Sequence, residues 1–130
     1  MSVPLLIANL LTILAFIAHT FVGDKELHLL IDNQNAVSRQ YRSTWTMVRC
    51  GWHWISIDLL IAGAIMLCIN FTDVLPQESA VTLVLGIFFI GYGIVWFLTA
   101  LLSPKFEKRL FLLGQWLLLL IIGGLLLLAA

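Results

Sequence analysis

The side chains in this sequence that could do chemistry are few: His19, His28 and His53, and the acids Asp24, Glu26 and Asp58, all in or beside strongly apolar stretches. Hydrocarbon tolerates an ionised group only with a specific partner, so an acid inside an apolar run marks a candidate site. Asp58 is such an acid. It lies in RCGWHWISIDLLIAGAIMLCIN, residues 49–70, whose first turns also carry Arg49 and His53. On a helix, Asp58 points about 140° away from His53 and sits about 7.5 Å deeper, so the two are not expected to touch, although both can bound one cavity. Upstream, Asn9, Thr12, Phe16, His19 and Thr20 share about 100° of helical arc. A polar stripe in hydrocarbon should face protein or water, because lipid offers it no partner.

Three chemistries fit these residues. In the first, Asp58, His19 and His53 handle an ion, a proton or a small solute, since a carboxylate and a near-neutral imidazole exchange protons readily inside a membrane. In the second, His19 and His53, joined by Glu26, His28 or Asp24 from the following loop, hold a transition metal such as Zn or Fe in a membrane enzyme. Asn9, Thr12, Asp58 or Arg49 would then orient the imidazoles. No HxxxH, HExxH, ExxH or CxxC motif supplies ligands at fixed spacing for it. In the third, the same polar groups hydrogen-bond across helices and set register in a structural or assembly subunit without catalysis. No nucleophile motif or phosphate-binding glycine loop is present, so no catalytic residue is named.

The elements that position these residues follow from composition. Of 130 residues, 62% are hydrophobic and only 11% charged, which excludes an ordinary soluble domain and makes the lipid bilayer the main partner. Net charge is zero and there is no Lys/Arg-rich patch, so no nucleic-acid partner is expected. Cys50 and Cys68 fall on one expected helix, about 27 Å apart, and cannot bridge.

Apolar windows place four spans at residues 3–22, 49–70, 79–102 and 110–128, with a loop at 23–48. The fold expected is all-α: a single integral membrane domain forming a four-helix bundle of up-down-up-down topology. Ser2 and Pro4 suit the first helix start, and Gly23-Asp24 its exit. In the third span Ser79, Gly86, Gly93 and Ala100 recur every seven residues, a stripe where another helix can approach closely, and Gly123 and Gly124 in the fourth span also suit close packing. Such small-residue seams, with the limited interior of four helices, also point to a homo-oligomer.

All seven basic residues lie in two connections: Lys25, Arg39, Arg42 and Arg49 between the first two spans, Lys105, Lys108 and Arg109 between the last two. The other connection and both tails have none, so both basic loops should be cytoplasmic and both termini outside, N-out and C-out. Tyr41, Trp45, Trp52 and Trp54 suit the aromatic belt at the cytoplasmic interface.

The run AHTFVGDKEL followed by GWHWISIDLLIAG resembles the histidine-bearing first and second spans of small, uncharacterised four-span bacterial inner-membrane proteins. The resemblance covers roughly the first half of the chain. It implies a bacterial inner-membrane location and makes His19 and His53 the pair to test, and it implies no activity.

Overall fold

Ser2 starts the chain's first helix as the composition suggests. Its hydroxyl oxygen accepts the Leu5 N–H at 3.3 Å and its carbonyl the Leu6 N–H, while Pro4 between them has no N–H to satisfy. In the computed structural model, which describes residues 2–25, 38–103 and 109–130, every regular element is helical. Helix α1 is Val3–Ile17 and continues as a π-helix over Ala18–Gly23. Helix α2 is Arg39–Phe71, α3 is Glu78–Leu102, α4 is the single turn Arg109–Leu112, and α5 is Gln115–Ala129. The fold is all-α with four main helical segments. Three of them are long and apolar enough to cross a membrane: Val3–Gly23, Arg39–Phe71 and Glu78–Leu102. That is the pattern of a multi-pass membrane protein.

Three boundaries differ from the sequence expectation, each for a local reason. Helical backbone passes through Gly23-Asp24 to Lys25, because the π-helix absorbs Gly23 instead of ending there. Helix α2 begins ten residues before Arg49. The segment RQYRSTWTMV has no Gly or Pro to stop a helix, but it is too polar to register in an apolar window. The last segment is interrupted at Leu113-Gly114, where Gly114 sits at φ −67°, ψ 2°, leaving α5 only 15 residues. The carbonyls at the interruption have takers: the Trp96 indole N–H donates to Leu113 O at 3.2 Å and the Trp116 indole N–H to Leu110 O at 3.0 Å. Between α2 and α3, Gln77 takes a left-handed conformation, φ 59°, which turns the chain into α3.

Contacts group the chain into two compact units, Thr12–Ala64 and residues 1–11 with 65–130. In the second unit α3 and α5 run antiparallel with their backbones close. A Cβ built on Gly86 would meet Leu127, one on Gly93 would meet Leu120, and one on Gly123 would stand 2.9 Å from Ile90 N and 3.0 Å from Gly86 O. Gly86, Gly93 and Ala100 are buried, so this chain's own α5 fills the stripe. Gly124 has open space at the same test, and Ser79, at the exposed end, donates its hydroxyl to Ala130 O. Phe89, Met66, Ile122 and Leu126 are fully buried in this unit.

The first unit buries smaller and more polar groups. Thr12, Ser56, Leu59 and Ala62 are buried, and a Cβ built on Gly63 would lie at ordinary contact distance from Ile13 and Thr12. The C-terminal end of the first span and the front half of α2 meet there, also antiparallel.

Candidate functional site

The π-helix at the end of the first span is where the polar residues gather. A π-turn is wider than an α-turn and displaces the side chains that follow it, and such turns recur at functional sites. Here it contains His19, Thr20 and Gly23. The imidazole of His19 lies flat on the indole of Trp52, ring centroids 3.9 Å apart and planes 9° apart. Two hydrogen bonds close the contact: the Trp52 indole N–H donates to His19 O at 2.9 Å, and His19 Nε2 stands 3.1 Å from Trp52 O. A carbonyl can only accept, so Nε2 carries the proton in this bond. Ser56, one turn on, also offers its hydroxyl to Trp52 O, at 3.4 Å. Gly23 makes room for the ring: a Cβ there would lie 2.1 Å from Trp52 Cζ2. The Thr20 hydroxyl oxygen is buried with no hydrogen-bond partner among the described residues.

Asp24 follows directly, and α2 answers it with two side chains. Arg49 and His53 are four residues apart, hence on one helical face. Arg49 grips the carboxylate as a fork, Nε to Oδ1 at 2.8 Å and Nη2 to Oδ2 at 3.1 Å. His53 Nε2 reaches the same Oδ1 at 3.3 Å. The side chains are 20% exposed for Asp24, 33% for Arg49 and 42% for His53, so the acid is the most enclosed of the three. The guanidinium also lies 5.5 Å from the centre of the Trp45 ring.

The residues singled out by sequence thus sort into groups. His19, Asp24, Arg49 and His53 all lie at the contact between the end of the first span and α2. Asp58 is half-buried further along α2. The acid that meets both His53 and Arg49 is Asp24, in keeping with the expectation that Asp58 and His53 do not touch. Asn9 and Thr12 are buried in α1. Glu26 and His28 lie outside the described residues. Among the described residues, no three His, Cys, Asp or Glu side chains come together in a way that could hold a metal ion.

Sequence inspection missed the part played by Trp52 and Gly23, which looked like an interfacial anchor and a helix exit. Only the Arg49/His53 spacing was a usable signal, since two basic groups at i and i+4 beside an apolar span call for a nearby acid. Comparison with protein-family models, with curated proteins and with solved structures finds no match to this chain.

Proposed function

We propose that this chain is a small membrane protein that handles an ion, a proton or a small solute through its His/Asp region, with His53 and Asp24 at the mouth and Asp58 deeper. The observation that carries this reading is the half-buried Asp24–His53–Arg49 cluster against the first half of α2. Charged groups are held there by one another while the His53 side chain stays partly exposed, an arrangement suited to taking up a charged species. The proposal includes N-out, C-out topology, which puts the cluster on the cytoplasmic side, and a bacterial inner membrane, in line with the resemblance of the first two spans. It also includes a homo-oligomer, for which the support is the small interior of four helices. The Gly86/Gly93 stripe no longer contributes, since α5 fills it. Purified protein in proteoliposomes should pass a proton or ion above the level of empty vesicles, and Asp58→Asn should reduce that flux. Absence of flux across a broad ion and pH screen would reject the reading.

The His19–Trp52 contact favours a second reading for that part of the molecule. Both polar ends of the contact are used up in hydrogen bonds between the two helices, which is what an assembly or structural subunit requires. If His19→Phe and Trp52→Phe alter only assembly and leave flux unchanged, the contact is structural.

A further inference from the structure

The site just proposed leaves open which species it takes, and the arrangement around Asp24 narrows the choice. A metal or alkali cation needs oxygen or nitrogen lone pairs free of positive neighbours. At Asp24 both carboxylate oxygens already accept hydrogen bonds from Arg49, and Oδ1 faces His53 as well. A second cation on either oxygen would lie against a fixed guanidinium. His19 offers no ready Nε2 either, because that nitrogen donates to Trp52 O.

The proton is different, because it needs only one lone pair and a compensating charge. His53 Nε2 faces Asp24, and its Nδ1 has no partner among the described residues while the side chain is 42% exposed. Hydronium in the adjoining water can give its proton to Nδ1, leaving a water molecule and an imidazolium whose Nε2–H donates to Asp24 Oδ1. The charges facing His53 are Asp24 and His19 from the first span, with Lys25 exposed beyond Asp24; Arg49 lies one turn back on α2 and Asp58 five residues on. Among the described residues, Asp24 is the carboxylate seen against the ring, and it is shared with Arg49. The imidazolium therefore shares the one Asp24 carboxylate with the Arg49 guanidinium.

Resting on the ion-handling reading above, we propose that the species taken at this site is the proton, with His53 as the receiving group, Asp24 as its counter-charge and Arg49 as the group that refuses metal and alkali cations.

Proteoliposomes with an internal pH dye and, separately, imposed Na⁺, K⁺ and Zn²⁺ gradients test it. Proton flux in the wild type that falls about tenfold or more in His53→Gln, with the metal and alkali ions at empty-vesicle levels, supports the proposal. Proton flux untouched by His53→Gln overturns it. Na⁺, K⁺ or Zn²⁺ flux without proton flux overturns it while the ion-handling reading stands; no flux of any species defeats both. Arg49→Met gives a readout that misfolding cannot mimic, because it is a gain. The variant should retain Zn²⁺ in calorimetric titration where the wild type does not, and equal Zn²⁺ binding by the two overturns the role given to Arg49.

Discussion

At Gly123 the missing Cβ lets two helix backbones approach until α5 stands against Ile90 N and Gly86 O, whereas at Gly23 the missing Cβ makes room for an indole ring. Both glycines sit in antiparallel helix contacts, and both would clash if replaced. The α3–α5 contact is apolar and relies on shape, with Phe89, Ile122 and Leu126 buried around it and no ionisable group needed. The contact between the first span and α2 relies on directional bonds: a stacked ring pair, two side-chain-to-carbonyl hydrogen bonds and a forked ion pair within a few residues. The first kind of contact has little to gain or lose with protonation. The second can respond to it, so the candidate chemistry belongs there.

This contrast can be broken or sharpened by substitution, with unfolding measured in a single detergent or lipid mixture. Gly123→Ala should have the largest effect, about 3 kcal/mol of destabilisation, because its new methyl meets backbone on two sides and only a separation of α3 from α5 relieves it. Gly23→Ala should come next, at about 2 kcal/mol, since the ring of Trp52 can swing away at the loss of its stack and one hydrogen bond. A red-shifted or quenched tryptophan emission should accompany it, and unchanged emission would mean that the ring does not occupy that space. Trp52→Phe keeps a ring to stack on His19 but deletes the indole N–H, leaving His19 O one donor short, for about 1 kcal/mol. Gly124→Ala should be the smallest and of opposite sign, neutral or up to about 0.5–1 kcal/mol stabilising. Its Cβ enters open space, and alanine is the better helix former. If Gly123→Ala and Gly124→Ala proved alike, the shape-based account of the α3–α5 contact would fail.

The apolar helices were legible in the sequence because hydropathy over 20-residue windows senses what length of chain can lie in hydrocarbon. The seven-residue stripe was legible for a similar reason, since small residues at helical spacing have few uses other than close packing. What covers the stripe was not legible: Leu120, Ile90 and Leu127 look like any lipid-facing residues until the antiparallel register is known. The histidines were found because polar groups are rare here, but their partners were not. Trp52 serves His19 through a ring face and a backbone carbonyl, neither of which leaves a trace in residue type. Asp24 was a candidate metal ligand from the following loop; its ion pair with Arg49 and His53 was not legible, because it depends on the π-helix carrying helical backbone past Gly23 and on α2 beginning early enough to bring Arg49 and His53 along a regular face.

The interruption at Gly114 has a consequence for how the protein meets lipid. Helix α5 alone covers about 22 Å, short of the roughly 30 Å of a typical hydrocarbon layer. As the proposed fourth span, α5 unaided would match a thin bilayer, while a thicker one would have to draw the broken turn into its apolar region or thin locally around it. The turn can enter because Trp96 and Trp116 already occupy carbonyls that lipid could not. Membrane thickness should therefore act on this chain most strongly at one glycine, and the emission of these two tryptophans across a series of lipid chain lengths will show whether it does.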